Sequence, residues 1–143
     1  MTAENSYKTW QTIAVGDKAS MTILVDEKMV KAFADLTGDN NPIHTDPEFA
    51  KKTVFRKCVV HGAFQNSLIS AILASQMPGP GSIYCSQESS FSAALFVGDK
   101  VTVEVEVVEK LLATKQAKIK TTCTNESGQI TLQGFAIVYP ARR

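Results

Sequence analysis

The chain has few of the residues that form zinc sites or disulfide frameworks. It contains three cysteines, Cys58, Cys85 and Cys123, and no Cys-x-x-Cys pair, which argues against structural zinc. Only two histidines are present, so a cysteine nucleophile would have little choice of activating base. Each cysteine has apolar or β-branched neighbours, and we therefore expect buried, inert thiols.

The sequence also lacks a long apolar run and an excess of one charge. No apolar run approaches the roughly 20 residues that span a bilayer. Fifteen basic and 14 acidic residues give a net charge of +1, which provides no electrostatic reason to expect nucleic acid or an anionic membrane as a partner. The first ten residues have no secretory signal, and Glu4 is unlike an Arg-rich transit peptide. We expect a soluble intracellular protein of the cytoplasm, with the mitochondrial matrix as the alternative.

The order of the predicted elements indicates the fold class. With 143 residues, 44% of them hydrophobic, the chain is predicted to form one domain over residues 1–143. A strand is predicted at 19–25, helices at 27–37, 47–53 and 63–76, and strands at 83–91, 100–108, 116–124 and 130–138. This order predicts an α+β fold with a long central helix packed on a curved antiparallel sheet. This helix is apolar and rich in small residues, and we therefore expect it to be buried against other elements.

The first predicted helix leads into the most informative segment of the chain. Asp26 is its predicted N-cap, and its buried side should carry Met29, Val30, Phe33, Ala34 and Leu36. Pro42 disfavours a helical conformation at the residue before it, so the helix should end near Gly38.

Residues 38–44 read GDNNPIH and place a carboxylate and an imidazole five positions apart. The bend before Pro42 can bring His44 back beside Asp39, where both would hold one water molecule and form a general acid–base pair. Each residue also has an ordinary alternative. Asp39 suits a turn or a helix cap, and His44 could be a loop histidine that is hydrogen-bonded to backbone.

Several further segments follow in a recognisable order. They are FADLTGDNNPIH at 33–44, VHG at 60–62, MPGPGS at 77–82 and the stretch from Phe91 to Gly98-Asp99. Together, over residues 20–140, they closely resemble the MaoC-like, R-specific enoyl-CoA hydratases (the hydratase 2 family). The resemblance implies the hot-dog fold. It also implies a homodimer in which one continuous sheet wraps two central helices, with active sites near the subunit interface.

The resemblance also implies roles for individual residues. Asp39 and His44 match the catalytic pair that holds the water, and Asn41 matches a residue that braces their loop. Gly62 matches the residue whose N–H points at the thioester oxygen, a role that a residue without a side chain at a helix N-terminus suits. Ser70 matches a polar residue near the acyl pocket, although it could equally bond back to a carbonyl one turn earlier. For His61 we favour a structural role at the strand–helix junction.

The Pro78–Gly81 loop has two possible roles. It ends the long helix and turns the chain. The N–H groups of Gly79, Gly81 and Ser82 could also line the path of the pantetheine arm of the substrate. Two positions depart from the family pattern: Pro80, where many relatives have lysine, and Ala94, where relatives often have proline. Both departures concern substrate handling.

These observations predict an (R)-specific enoyl-CoA hydratase, a lyase that adds water to trans-2-enoyl-CoA without a metal or redox cofactor. The predicted partners are an acyl-CoA or acyl-carrier-protein thioester and a second copy of the chain. The nearest alternative is a 3-hydroxyacyl-[acyl-carrier-protein] dehydratase of fatty-acid synthesis. A hot-dog thioesterase and a non-catalytic acyl-thioester-binding module are further alternatives.

Overall fold

A computed structural model describes residues 7–142 of the chain. Residues 1–6 and 143, which belong to the predicted single domain, lie outside this range. The elements are β1 (Lys18–Leu24), α1 (Glu27–Thr37), α2 (Pro42–Thr45), α3 (Pro47–Lys51), α4 (Gly62–Ser75), β2 (Ile83–Ser90), β3 (Lys100–Leu111), β4 (Gln116–Asn125) and β5 (Ile130–Tyr139). The α+β class is therefore confirmed, and α2 is a short helix that the sequence did not predict.

The strands form one antiparallel sheet in the order β1-β3-β4-β5-β2. One face of β3 is buried, as its strict alternation predicted. The fully buried residues of this face are Val101, Val103, Val105 and Val107. β3 extends three residues beyond the predicted end, through an irregularity in its pairing with β4 between Val107 and Glu109. β2 lies at one edge of the sheet, where its outer side has no neighbouring strand among the described residues.

The long helix α4 packs on the sheet through a wide apolar side. That side consists of Phe64, Leu68, Ile69, Ile72 and Leu73, all buried. The opposite side carries Ala63, Ser67, Ala71, Ala74 and Ser75, which are exposed in the single chain. The expectation that α4 is buried against other elements holds for its apolar side, whereas this small-residue side is not covered within one chain, because the sheet packs on only one side of α4.

Helix α1 begins at the predicted cap but buries a narrower face than predicted. The Asp26 carboxylate accepts a hydrogen bond from the N–H of Met29 at 3.0 Å, which confirms the N-cap. Val30 and Ala34 are buried, whereas Leu36 is 85% exposed. The prediction for Leu36 is wrong, because at 3.6 residues per turn it lies about 120° around the helix from Val30.

The three cysteines have different environments. Cys123 is buried, Cys58 is half-buried and Cys85 is exposed on the edge strand β2, so the expectation of a buried thiol is wrong for Cys85. Burial raises the pKa of Cys123 to about 12. Burial also raises the pKa of Cys58, and the nearby Asp46 and Glu27 carboxylates act in the same direction. The Cys58 and Cys123 thiols are therefore protonated near neutral pH.

Candidate active site

The segment between α1 and α2 forms a tight turn that carries Asp39. Gly38 ends α1 in the left-handed conformation at φ 82°, and its N–H donates to the carbonyl of Ala34. The Asn41 side chain accepts from the N–H of Ile43 at 3.2 Å, which caps α2. The N–H of Asn41 in turn donates to the Asp39 carboxylate at 3.4 Å. Asn41 thus connects the carboxylate to the helix that carries His44.

His44 lies on α2 with one ring nitrogen held by the backbone. Its Nδ1 is 2.7 Å from the carbonyl oxygen of Val59. A carbonyl oxygen can only accept, so Nδ1 must carry the hydrogen. In the neutral ring, Nε2 is then left with a free lone pair, which is the form that can act as a base.

Asp39, His44 and His61 converge on one small volume. A carboxylate oxygen of Asp39 and one ring nitrogen from each histidine all lie within 4.8 Å of one another. A single water molecule that hydrogen-bonds at about 2.8 Å on each side can bridge atoms at this separation. The structure therefore brings together the two residues that the sequence predicted as a pair, and it adds His61.

His61 links the two predicted catalytic residues. It is 1% exposed, its Nε2 lies 3.2 Å from the backbone oxygen of Asp39, and its ring stacks on the His44 ring with centroids 3.8 Å apart. Burial lowers the pKa of His61, and the His44 ring lowers it further, against the opposing effects of the Asp39 backbone bond and carboxylate. The ring is therefore neutral near pH 7 and donates from Nε2 to Asp39. From the sequence we favoured a purely structural role for His61. The feature that could have indicated a place in the site is its position next to Gly62.

The same three residues could be considered as metal ligands, since two histidines and a carboxylate form a common donor set. Their arrangement disfavours a shared ion. The two imidazole planes are only 26° apart and stacked, so lone pairs lying in those planes cannot both point at one ion between them. His61 Nε2 and His44 Nδ1 are also engaged by backbone carbonyls.

A cavity of about 540 Å³ opens beside His44. Its lining is mainly apolar and consists of Ile43, His44, Phe55, Val59, Val60, Gly62, Gln65, Phe91, Ser92, Ala93, Ala94 and Leu95. Gly62 is the first residue of α4, so its N–H has no acceptor within the helix. A Cβ at this position would lie 2.8 Å from the Phe91 ring. The absence of a side chain at Gly62 therefore lets the Phe91 ring lie against the start of α4.

A second cavity, of about 850 Å³, is lined by residues of α1, α2 and α3 and of the loop before α4. Its basic lining residues are Lys28, Lys31, Lys51, Arg56 and Lys57, and its acidic lining residues are Asp26, Glu27 and Glu48. His44 lines both cavities. A ligand with anionic groups could thus lie in the larger cavity while its reacting end approaches His44.

The remaining predicted site residues lie away from this cluster. Ser70 is half-buried, lies about 12 Å along the axis of α4 from Gly62, and lines neither cavity. Gly79, Gly81 and Ser82 follow the far end of α4 and also line neither cavity. The N–H groups of Gly79 and Ser82 donate to the carbonyls of Leu73 and Gly79, so they are not the free donors that were expected. The substrate contacts of Ser70, Gly81 and this loop stay predictions.

Comparison with known proteins identifies closely similar sequences. A family model described as the MaoC like domain matches residues 4–129. The (R)-specific enoyl-CoA hydratase of Aeromonas caviae is 42% identical over 132 residues, which cover 90% of this chain and 96% of that protein. The (R)-specific enoyl-CoA hydratase of Rhodospirillum rubrum is 36% identical, with coverage of 93% of this chain and 92% of the relative.

Solved structures show the same fold. The unliganded R-hydratase PhaJ1 from Pseudomonas aeruginosa superposes with a TM-score of 0.89 at 34% identity, covering 94% of this chain and 86% of that one. The similarity extends over nearly all of the described elements. The expected hot-dog fold is confirmed.

Proposed function

The chain belongs to the MaoC-like domain family, and on this premise we propose that it is an (R)-specific enoyl-CoA hydratase. It adds water reversibly to trans-2-enoyl-CoA and gives (R)-3-hydroxyacyl-CoA. The observation that carries the proposal is the position of Asp39 beside His44. The Nδ1 of His44 is held by the carbonyl of Val59, and His44 and Gly62 line the same cavity. The similarity to named hydratases over most of the chain supports it.

In the proposed mechanism, Asp39 and His44 hold one water molecule between them. The water donates one hydrogen bond to the Asp39 carboxylate and one to Nε2 of His44, which leaves its oxygen lone pair directed at C3 of the substrate. The C3–O bond forms as one of the two residues removes a proton, and a proton is delivered to C2. The double bond is lost and no group remains on the enzyme. A positioned base of this kind contributes about 10²–10⁴-fold.

Gly62 is proposed to stabilise the negative charge that develops on the thioester oxygen. Its N–H lies at the N-terminus of α4, where the helix dipole favours negative charge. One such preorganised donor is worth about 3–4 kcal/mol of transition-state stabilisation. The mainly apolar walls of the cavity strengthen this interaction once the bound substrate has displaced water from it. Asn41 braces the loop from which Asp39 acts.

One assay separates the hydratase from the other activities. Purified protein is mixed with crotonyl-CoA, and loss of the conjugated enoyl absorbance is followed together with release of free thiol. Absorbance loss without thiol release is the expected result. Thiol release would instead indicate a thioesterase, and no change on several chain lengths, on coenzyme A or on acyl carrier protein, would refute an enzymatic function.

The carrier of the acyl group is the second point that this assay decides. The segment 51–57 reads KKTVFRK and contains four basic and no acidic residues; Phe55 lines the smaller cavity and Arg56 the larger one. Positive charge at this place suits the phosphates of coenzyme A and also an acidic carrier protein. A higher kcat/KM with crotonyl-acyl-carrier protein than with crotonyl-CoA would favour the dehydratase of fatty-acid synthesis.

We also propose that the protein is a homodimer formed through β2 and the small-residue side of α4. Ile83, Tyr84 and Phe135 are exposed at this end of the sheet, with Ile83 at 62%. Edge strands and exposed apolar side chains are features that a second copy can cover. Sedimentation equilibrium should give twice the chain mass. Ala71→Arg, on the exposed side of α4, should shift it to the monomer, whereas Leu36→Arg on α1 should not.

The location of the protein is proposed from its relatives. No helix among residues 7–142 is both long and apolar enough to cross a bilayer. The similar hydratases of Aeromonas caviae and Rhodospirillum rubrum come from bacteria, which supports the cytoplasm as the site of action. Fractionation of the source cells tests this location.

A further inference from the structure

Gln65 is a buried polar residue in the wall of the proposed active site. It is 3% exposed and lies one helical turn after Gly62, on the same side of α4. It lines the smaller cavity together with His44 and Gly62. The cavity wall therefore contains a carboxamide that the hydration mechanism does not use.

Thr131 fixes the orientation of this carboxamide. The Thr131 hydroxyl, fully buried on β5, donates a hydrogen bond to Oε1 of Gln65 at 2.6 Å. The carbonyl oxygen of Cys123 is a second acceptor at 3.3 Å, and the much shorter contact takes the single hydroxyl hydrogen. With Oε1 held on that side, Nε2 points away from Thr131. No residue within 7–142 accepts a hydrogen bond from Nε2, and in this part of the chain His61 Nδ1 is the one enclosed side-chain atom without a partner. Gln65 Nε2 is thus not enclosed, and it presents its N–H groups to the cavity.

The surroundings make this donor selective. Most of the cavity wall is apolar, as the side chains of Ile43, Val60 and Leu95 illustrate. An alkyl chain that covered the amide would displace its water and offer no acceptor, which is unfavourable. A ligand oxygen at the same place would restore the hydrogen bond. Gln65 therefore disfavours a plain hydrocarbon and favours an oxygen-bearing group.

We propose that Gln65 selects acyl thioesters that carry a hydroxyl or carbonyl oxygen beyond C3 over alkyl chains of the same length. The inference rests on the proposed hydratase function and names the substrate class of that site. Gln65 forms no covalent bond and transfers no proton; its Nε2 donates a hydrogen bond to the acyl oxygen.

The test compares trans-2-hexenoyl-CoA with its 5-hydroxy and 6-hydroxy derivatives. For the wild type, kcat/KM for at least one hydroxylated substrate should exceed that for hexenoyl-CoA about tenfold or more. Gln65→Met, which keeps the length of the side chain and removes the amide, should abolish this preference. The readout is the ratio of kcat/KM for the hydroxylated substrate to kcat/KM for hexenoyl-CoA, so that a general loss of activity in the variant cancels. A wild-type preference for hexenoyl-CoA, or an unchanged preference in Gln65→Met, would overturn the inference.

Two further variants keep the test decisive. In Thr131→Val the Gln65 amide remains but loses its fixed orientation, so the preference for the hydroxylated substrate should fall. This variant tests the inference even if Gln65→Met folds poorly. An unchanged preference would contradict the inference. Asn66→Leu is the matched control, because Asn66 is the adjacent amide, accepts from Ser89 at 2.8 Å and lines neither cavity. It should keep wild-type selectivity. A wild type that does not hydrate crotonyl-CoA would refute the hydratase function itself, and the inference with it.

Discussion

The carbonyl oxygen of Val59 accepts a hydrogen bond from Nδ1 of His44 at 2.7 Å, across fifteen positions of sequence. Because this oxygen can only accept, the contact fixes the tautomer of the ring and leaves Nε2 to face the reacting water. Val59 is buried at the junction before α4 and its N–H donates to the carbonyl of Ile43. The orientation of the proposed base is thus set by backbone groups.

His44→Asn tests this division between the two ring nitrogens. The amide of the shorter asparagine side chain can still donate to the carbonyl oxygen of Val59, because its nitrogen lies near the position of the histidine Nδ1. It places no atom at the position of the histidine Nε2. We expect kcat to fall about 10²–10⁴-fold with little change in the free energy of unfolding. Crotonyl-CoA hydration and urea unfolding measure the two quantities. A variant with wild-type turnover would contradict the role of His44, and Asp39→Asn applies the same test to the carboxylate.

Gly62→Ala should remove most of the activity while the fold persists. The new methyl group would meet the Phe91 ring at 2.8 Å and narrow the approach to the N–H of residue 62. Since one oxyanion donor is worth about 10²–10³-fold in kcat, a loss of that size is expected. Phe91 is 53% exposed, and its side chain can move aside.

The double variant Gly62→Ala with Phe91→Ala separates two causes of that loss. If the methyl group blocks the approach of the thioester, activity stays low when Phe91 is removed. Recovery of activity in the double variant, measured against Phe91→Ala alone, would instead assign the loss to displacement of the Phe91 ring.

His61 predicts a pH dependence of folding stability. In the folded state burial lowers the pKa of His61, and His44 lowers it further against the opposing effect of Asp39, whereas in the unfolded chain the pKa is about 6.5. Below pH 6.5 the unfolded chain binds this proton first. Its contribution to stability is therefore fully present above that pH and is lost as the pH falls toward the lower folded pKa, by up to about 1.4 kcal/mol per unit.

The variant His61→Gln isolates this contribution. Glutamine can still donate to the backbone oxygen of Asp39 but does not titrate, so the acid-side loss of stability should be shallower than in the wild type. Urea unfolding midpoints between pH 5 and pH 8 measure the slope. Equal slopes for the two proteins would show that His61 is not responsible.

Gly134→Ala should strongly destabilise the sheet at β2. A Cβ at this position would lie 1.7 Å from the backbone oxygen of Glu88, so β2 and β5 would have to separate. We expect a loss of about 3 kcal/mol or more. Gly128→Ala is the control, since a Cβ there meets nothing within 4 Å and the strain comes only from its φ of 83°. Similar unfolding free energies for both variants would contradict the predicted clash.

Local patterns in the sequence predicted the elements of this fold. The alternating valines of β3 gave its buried face, Asp26 its helix cap, and Gly38 the end of α1. These features depend on neighbours within a few residues, where propensity and hydrogen bonding act directly. Leu36 was assigned wrongly because it lies about 120° around the helix from Val30. Cys85 was assigned wrongly because its exposure depends on how distant segments pack around it.

The proposed site shows the same division. The sequence by itself determined that Asp39 and His44 lie side by side, because they are only five positions apart and Pro42 bends the chain between them. The family resemblance added Gly62. Only the tertiary structure decided which nitrogen of His44 is free, placed His61 against Asp39 and joined Gln65 to Thr131, 66 positions away. Such contacts depend on the packing of α4 against the sheet. The order of residues along the chain does not reveal these contacts, because the distances and directions between the side chains are fixed only by the folded backbone.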